Sequence, residues 1–228
     1  MSTVDVVIPA FNAALHLREA LASVLAQSHA VARVIVVDDA STDTTAQIVG
    51  GYGAPVELIA LGRNGGAAAA RNAGIAAADA SYIAFLDADD RWMRDHLAIQ
   101  CAALDADAAA MFCLCRTREF ASDELDAAER AALVQRDTTQ LEGWLASALV
   151  ARREVFVRIG GFASDLRVGE AIEWFGRARE LPHVHVDAVG VERRLHRANS
   201  TRRAAVTGSD YVEAVRRHLA RRRAAKPT

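Results

Sequence analysis

Short aliphatic segments that alternate with helical segments constrain the fold of this chain more than any other feature. Four runs of strand length, residues 4–8, 34–37, 56–59 and 82–86, stand between polar or turn residues. Between the first two, Leu17, Leu21 and Val24 recur at helical spacing, and Asn12 is placed to cap that helix. Nearly unbroken apolar strands that alternate with helices are typical of a parallel sheet covered on both faces. We therefore predict an α/β fold, Rossmann-like, with a mostly parallel central sheet flanked by helices.

The second half of the sequence has a less regular pattern. Residues 116–140 are charged and Ala-rich without a clean strand, which predicts a helix or an irregular excursion. A helix is predicted over residues 170–180 and a strand over residues 184–191. Neither an internal repeat nor a linker separates the halves. We predict one domain with halves at residues 1–100 and 101–205, followed by a basic C-terminal helix or tail at residues 206–228.

Composition restricts the class of protein. The 228 residues are 52% hydrophobic, enough to bury a core, and the net charge of −2 predicts no general attraction to nucleic acid. Three cysteines without paired spacing predict neither a disulfide framework nor a zinc site, which fits a reducing compartment. No basic leader precedes an apolar segment, and no run approaches the roughly 20 apolar residues of a spanning helix. We expect a cytoplasmic protein.

Carboxylates follow two of the predicted strands. Asp38 and Asp39 come after one aliphatic run, and Asp87, Asp89 and Asp90 after another. The carboxyl ends of parallel strands meet at one edge of the sheet, where open α/β sheets bind ligands. Converging carboxylates repel one another unless a cation relieves them, and oxygen ligands favour Mg²⁺ or Mn²⁺. Taken singly, each Asp has the alternative of capping a helix or beginning a turn.

A metal held by few carboxylates leaves positions that phosphate oxygens can fill, which is the chemistry of a nucleotide-sugar donor. Asn64 precedes two glycines that give backbone freedom at a strand end, and Arg71 could complement phosphate charge. Phe11 offers a flat apolar frame for a base. The alternatives are an ordinary turn for the glycines and a solvated helix face for Arg71.

Four segments resemble, in order and spacing, successive motifs of glycosyltransferase family 2, whose members are inverting enzymes of GT-A fold: VDVVIPAFN, VIVVDDASTDTT, NGGAAAARNAG and YIAFLDADD. The resemblance is specific across residues 4–93 and weaker from 144 to 201. It implies a GT-A fold with a smaller acceptor-side subregion and Mg²⁺ or Mn²⁺ as cofactor. It also implies a nucleotide-sugar donor, with a UDP-sugar favoured, and a glycan, lipid-linked or other hydroxyl acceptor.

The resemblance assigns roles to individual residues. Asp38 or Asp39 would read the base or ribose, Arg71 would lie near the base and diphosphate, and Asp87 would lie near the ribose. The implied donor-binding set is Pro9, Ala10, Phe11, Asp38, Asp39, Asn64, Arg71, Asp87 and Ala88. The implied metal set is Asp89, Asp87 and His196.

The acceptor side carries a departure from the family pattern. Residues 160–170 resemble an acceptor-side motif that usually continues with an acidic pair whose second member is the catalytic base, yet here that position is Ala171. Glu170 and Glu173 are the available substitutes, and we favour Glu170 because it keeps the family's glutamate position. The alternative for Glu173 is a helical i,i+4 pair with Arg177.

The segment 193–200 resembles a late family motif with an Arg, a His and an Asn. It implies that His196 approaches the metal or diphosphate, and that Arg194 or Arg197 approaches the phosphates. Trp92 and Trp174 could line a sugar site, since aromatic faces stack on sugar rings, with core packing as the alternative.

Near the C-terminus, Tyr211, Val215 and Leu219 form an apolar stripe beside many arginines. The stripe predicts either peripheral contact with the inner face of a membrane or a helix that packs its stripe on the core. Two functional alternatives stay open beside a glycosyltransferase. One is a nucleotide-sugar-binding protein that has lost transfer because of Ala171, and the other is a sugar-phosphate nucleotidyltransferase.

Overall fold

A computed structural model of the protein describes residues 2–134, 141–142, 144–197, 199 and 209–224. The strands in chain order are β1 (Val4–Ala10), β2 (Arg33–Asp38), β3 (Val56–Ala60), β4 (Tyr82–Phe85), β5 (Arg91–Trp92), β6 (Phe112–Ala121), β7 (Leu141–Glu142), β8 (Leu149–Arg152) and β9 (His183–Leu195). The helices are α1 (Leu17–Leu25), α2 (Thr45–Gly50), α3 (Ala67–Ala77), α4 (His96–Ala106), α5 (Ala127–Val134), α6 (Arg153–Ile159), α7 (Glu170–Ala178) and α8 (Ser209–Ala224). A 3-10 turn, Ala146–Ala148, precedes β8.

One mixed sheet joins these strands in the order β3-β2-β1-β4-β8-β6-β9-β5, with β7 paired to β6. The first four are parallel to one another, as the alternating sequence pattern predicts. Strand β8 runs antiparallel to both β4 and β6, and β9 runs parallel to β6. The second half of the chain therefore extends the sheet of the first half.

Alternate residues of β1 enter two hydrophobic cores, one on each face of the sheet. Val6 and Ile8 pack with α1, while Val7 packs with α3 on the opposite face. Helix α3 approaches so closely that a Cβ at Gly74 would lie 2.3 Å from Cγ1 of Val7. Only glycine fits at this approach. The same approach brings Arg71, one turn earlier on α3, to the carboxyl edge of the sheet.

One local prediction is wrong, and a second is wrong over part of its range. Helix α1 begins at Leu17, so Asn12 does not cap it; its Oδ1 instead accepts a hydrogen bond from the Thr42 amide at 2.8 Å. The segment 116–140 begins as part of β6, which ends at Ala121, so the prediction of a helix or an excursion is wrong there, whereas α5 (Ala127–Val134) is the helix that the sequence predicts. The charges of β6 face opposite charges of β9, such as Arg193 against Glu119 at 2.9 Å, so a charged sequence can form a strand.

Helix α8 contacts the body through its polar face. Arg217 pairs with Asp165 at 2.6 Å and Ala214 is buried, whereas Val215 and Leu219 are 45% and 47% exposed. The prediction that this helix packs its apolar stripe on the core is therefore wrong for these two residues, and the side chain of Tyr211 lies outside the part of the chain that the structure describes. None of the described helices has the length and apolar content needed to cross a membrane.

Candidate active site

The carboxyl ends of three neighbouring strands form the candidate site. Ala10 at the end of β1 is in register with Asp38 at the end of β2, and Leu86 after β4 donates its amide to Val7 of β1 at 3.1 Å. The residues that follow these ends, Phe11, Asp39 and Asp87, therefore occupy one edge, as the sequence predicts.

Asp39 and Asp38 hold the loops of this edge. Asp39 accepts the amides of Gly65 at 2.8 Å and Gly66 at 2.7 Å, and Asp38 accepts the amide of Ser41 at 3.2 Å. Gly66 has a φ of 87°, in the left-handed region that favours glycine. Asp39 thus fixes the backbone just before α3.

The residues expected to frame a base differ in exposure. Pro9 and Ala10 are buried within β1, and Ala88 is buried as well, so their side chains present little surface. Phe11 is 50% exposed and can offer the face of its ring. Asn64 lies beside Asp39, donating to its carbonyl at 3.3 Å.

Arg71 joins the loop after β4 to helix α7. Its buried guanidinium donates to Asp87 at 2.6 Å and to Glu170, the first residue of α7, at 2.7 Å. The guanidinium carbon, Cζ of Arg71, lies 5.3 Å from the centre of the Phe162 ring. Burial alone would lower the pKa of Arg71, but the charges and hydrogen bonds of Asp87 and Glu170 outweigh burial and raise it.

Asn72, next to Arg71 on α3, fixes the turn at residues 160–162. Its amide donates to the carbonyl of Phe162 and accepts the Phe162 amide, both at 2.8 Å. A Cβ at Gly161 would lie 2.2 Å from Asn72 Oδ1, so the turn can come this close only with glycine there. The Gly160-Gly161-Phe162 turn is therefore anchored to the same helix that carries Arg71.

Asp89 and His196 form a second pair at the edge. Nε2 of His196 lies 2.8 Å from Oδ2 of Asp89. Asn199 holds the His196 loop, accepting the His196 amide at 2.6 Å and donating to the carbonyl of Arg194 at 3.1 Å. The ring of His16 meets that of His196 edge-on with centroids 5.1 Å apart, and burial, with the charges of Arg194 and His196, lowers the pKa of His16.

The acids of this edge have different partners. Asp87 faces Arg71 and Asp39 faces backbone amides, while Asp89 faces His196. Within the described residues, no three His, Cys, Asp or Glu side chains come close enough together to hold a metal. The Asp89 carboxylate is the kind of ligand that Mg²⁺ or Mn²⁺ prefers, and Nε2 of His196 beside it offers a second ligand atom, so an ion held there would keep most of its positions open for a ligand's oxygens.

Asp90 is buried behind these acids. Its two oxygens accept the hydroxyl of Ser147 and the amide of Arg194, both at 2.9 Å. Burial, together with the charges of Asp89 and Asp87, raises the pKa of Asp90 well above its usual range. Asp90 therefore supports the loop from behind rather than facing solvent.

The two glutamates proposed as base are held differently. Glu170 is partly buried and offers one oxygen to Arg71. Glu173 is buried and accepts from Arg177 at 3.0 Å, the i,i+4 pair that sequence spacing offers as the alternative. The carboxylate of Glu173 is therefore held by a neighbour on its own helix, whereas that of Glu170 is held by a residue of α3; which of the two acts as base stays a prediction.

The sugar-site role of the two tryptophans is wrong, and the two arginines have partners of their own. Trp174 is 0% exposed among phenylalanines, and Trp92 is buried and stacks on His96 with centroids 4.2 Å apart, so both tryptophans pack the core. Arg194 is buried, with Nε bonded to the Asp89 carbonyl at 2.9 Å. Arg197 pairs with Glu129 at 2.8 Å on the surface, so both arginines have protein partners in this structure and their approach to phosphates stays a prediction.

Sequence reasoning missed several residues that build this site. Asn72 and Asn199 stand inside segments that resemble family motifs, so their amides are recognisable as supports for those motifs. Ser147 is a lone polar residue in an apolar run, which is a weak signal. His16 and Glu19, which contacts Arg194, follow ordinary helix-forming patterns and give no signal at all.

Comparison with models of protein families finds one that matches this chain. A family model described as "Glycosyl transferase family 2" matches residues 5–164, which is more than half of the sequence. The match includes the segments that carry Asp39, Arg71, Asp87, Asp89 and the turn at Phe162. It ends before Glu170 and His196, so those assignments rest on geometry and on motif resemblance.

Two curated relatives match part of the chain. The "Putative teichuronic acid biosynthesis glycosyltransferase TuaG" of Bacillus subtilis is 41% identical over 100 residues, which is 42% of this chain and 40% of TuaG. The "Succinoglycan biosynthesis protein ExoO" of Rhizobium meliloti is 44% identical over 104 residues, which is 45% of this chain and 30% of ExoO. The matched regions are thus well under half of each relative.

Solved structures share the whole fold. The mannosyltransferase PcManGT of Pyrobaculum calidifontis, in complex with GDP-Man and Mn²⁺, superposes with a TM-score of 0.71 at 20% identity. The match covers 99% of this chain and 65% of the PcManGT chain. TarS 1-349 of S. aureus, in complex with UDP-GlcNAc, superposes with a TM-score of 0.68 at 20% identity. The match covers 86% of this chain and 60% of the TarS chain. The predicted GT-A fold is confirmed. The chain belongs to glycosyl transferase family 2.

Proposed function

We propose that the protein transfers a sugar from a nucleotide-sugar donor to an acceptor hydroxyl, with inversion at the anomeric carbon. The observation that supports this most is Arg71, which bonds Asp87 at 2.6 Å and Glu170 at 2.7 Å. One guanidinium thereby sets the distance between an acid of the donor side and an acid of the acceptor side. Transfer requires the two substrates to meet in that space.

The donor would lie along the carboxyl edge. Phe11 offers its ring to the base, Asp87 lies where a ribose would follow, and Asp89 with His196 would hold Mg²⁺ or Mn²⁺ beside the diphosphate. A divalent ion there neutralises negative charge that develops on a departing diphosphate. The fold neighbours include one complex with UDP-GlcNAc and one with GDP-Man and Mn²⁺. We favour a UDP-sugar, with a GDP-sugar as the alternative.

Glu170 would act as general base. Its Oε1 is held by Arg71, which leaves Oε2 to take the proton of the acceptor hydroxyl. The acceptor oxygen then forms a bond to the anomeric carbon while the bond from that carbon to the diphosphate oxygen breaks. A single displacement of this kind inverts the configuration.

The acceptor class follows from the named relatives. TuaG and ExoO are named for the biosynthesis of teichuronic acid and succinoglycan, so we propose a growing glycan or a lipid-linked glycan as acceptor. Contact with a membrane surface through α8 belongs to the same proposal. The exposed Val215 and Leu219 beside the exposed Arg216 support it.

Ala171 favours one competing function, in which the donor binds but no sugar is transferred. A thermal-shift panel of nucleoside diphosphates and nucleotide sugars with and without Mn²⁺ identifies the nucleotide, and product analysis with glycan acceptors detects transfer. A metal-dependent shift with transfer supports our proposal. A shift without transfer or hydrolysis over many acceptors supports binding alone, and release of pyrophosphate from a nucleoside triphosphate would instead indicate a nucleotidyltransferase.

A further inference from the structure

We infer that Ser147 is a positioning residue that fixes the loop 87–90, which carries the acids of the proposed donor site. Ser147 belongs to the turn Ala146–Ala148, and its side chain is buried. The family model reaches this region, but nothing in the sequence motifs assigns Ser147 a role. The inference rests on the proposed function for its consequence in binding, while the loop contact itself is independent of any activity.

The hydroxyl of Ser147 holds both ends of the loop. Its oxygen accepts the amide of Asp87 at 3.1 Å, and its proton is donated to Oδ2 of Asp90 at 2.9 Å. The amide of Asp90 also donates to the carbonyl of Asp87 at 3.0 Å, which closes the turn. One buried hydroxyl thus satisfies a backbone donor and a carboxylate oxygen that would otherwise lack these partners.

Arg194 completes the support from β9. Its amide donates to Oδ1 of Asp90 and its Nε donates to the carbonyl of Asp89, both at 2.9 Å. These contacts engage the backbone and the buried Asp90 rather than the carboxylates of Asp87 and Asp89. Those two carboxylates therefore stay free to face Arg71 and His196, and their directions follow from how the loop is held.

Loss of the Ser147 hydroxyl should matter for binding more than for folding. Ser147→Ala removes two hydrogen bonds of the loop and leaves the hydrophobic cores intact. A displacement of about 1 Å at a catalytic constellation can cost about 100-fold in rate. Ser23 offers a matched control nearby, because its hydroxyl accepts the amide of Trp92 at 3.1 Å and donates to the Ala20 carbonyl at 2.7 Å.

The test compares Ser147→Ala with Ser23→Ala by residue-resolved hydrogen exchange and by nucleotide-sugar binding in the presence of Mn²⁺. Protected amides of β1 show in each variant that the fold is intact. We expect Ser147→Ala to raise exchange at the amides of Asp87 and Asp90 at least about tenfold and to weaken binding at least about tenfold, as for the loss of a buried hydrogen-bonding group. Ser23→Ala should change neither by more than about twofold.

Two outcomes overturn the inference. One is exchange at Asp87 and Asp90 in Ser147→Ala that matches Ser23→Ala. The other is faster exchange with unchanged binding, which would make Ser147 a support of the fold alone. A wild-type protein that binds no nucleotide sugar would count against the proposed function, whereas the exchange rates would still decide whether Ser147 holds the loop.

Discussion

Glu170 accepts a hydrogen bond at 2.7 Å from Arg71, a residue 99 positions earlier in the chain. The bond connects the first residue of α7 to the middle of α3, and the same guanidinium reaches Asp87. Arg71 is thereby charge-balanced on both sides in a buried position, where an unpaired charge would be costly. Glu170 is consequently fixed relative to Asp87.

The first prediction concerns Glu170→Gln. Glutamine can still accept from Arg71 but cannot take a proton, so kcat should fall about 100-fold or more, in the range of a lost general base. The KM for the donor should change little, and thermal stability should fall only modestly, because the buried Arg71 keeps Asp87 as its counter-charge. Steady-state kinetics with a glycan acceptor measures this; an unchanged kcat would exclude Glu170 as base.

Glu173→Gln is the matched comparison on the same helix. Glu173 accepts a hydrogen bond from Arg177. When Glu173 is replaced, Arg177 still donates to the carbonyl of Gly161, which lies at 2.5 Å. Stability should fall by about 0.5 kcal/mol or somewhat more, as for a helical ion pair that is partly buried. The kcat should remain within about threefold of wild type. A loss in kcat as large as that of Glu170→Gln would reverse our choice of base.

Arg71→Lys tests the bridge itself. Lysine retains the positive charge, but a single ammonium lacks the planar fork that bonds two carboxylates in fixed directions. We expect kcat/KM to fall at least about tenfold while most of the stability is kept. Arg71→Met should in addition destabilise the fold by at least about 2 kcal/mol, since Asp87 and Glu170 lose their counter-charge. Urea unfolding of both variants, read beside their kinetics, separates the two effects.

The buried His96 predicts loss of stability in mild acid. Burial lowers the pKa of His96 from 6.5 to about 3, so the folded state excludes a proton that the unfolded chain binds. His96 therefore does not reduce the unfolding free energy above pH 6.5. The unfolding free energy decreases as the pH falls below 6.5, because the unfolded chain then gains a proton that the folded state does not bind. Unfolding free energy should drop by about 2 kcal/mol from this group between pH 7 and pH 5.

His96→Phe keeps an aromatic ring against Trp92 and removes the titration. Its unfolding free energy should therefore decline less between pH 7 and pH 5 than that of the wild type, whatever its value at pH 7. Equilibrium unfolding in urea at several pH values gives the two slopes. If the unfolding free energies of the two proteins fall equally with pH, His96 is not kept neutral in the folded state.

The strands and the location of the site can be predicted from the sequence because their signals are local. The aliphatic runs that form β1, β2 and β4 end at or just before the acids of the edge, such as Asp38 and Asp87, and parallel connections place those ends together. The pair of Glu173 with Arg177 is likewise a local spacing on one helix. Its four-residue separation is enough to indicate the contact that the structure contains.

The partner of each acid cannot be predicted in the same way because it depends on contacts distant in sequence. Asp39 binds Gly65, 26 residues away, and Asp89 meets His196, 107 residues away. A set of acids at one edge therefore suggests a shared cation, whereas the structure gives Asp39 and Asp87 partners of their own. The sugar-site role expected for Trp174 is wrong for a related reason, since its sequence position does not reveal the phenylalanines that enclose it.

The most direct test of the account is metal-dependent binding of a nucleotide sugar to Asp89→Asn, with the surface variant Asp95→Asn as control. Wild type and Asp95→Asn should show a rise in melting temperature of about 5 °C or more at donor concentrations near about 100 times Kd, only when Mn²⁺ is present. Asp89→Asn should lose that Mn²⁺-dependent rise while unfolding near the wild-type temperature without ligand. A rise in Asp89→Asn equal to that of the wild type would contradict the assignment of Asp89 and His196 to the metal and diphosphate.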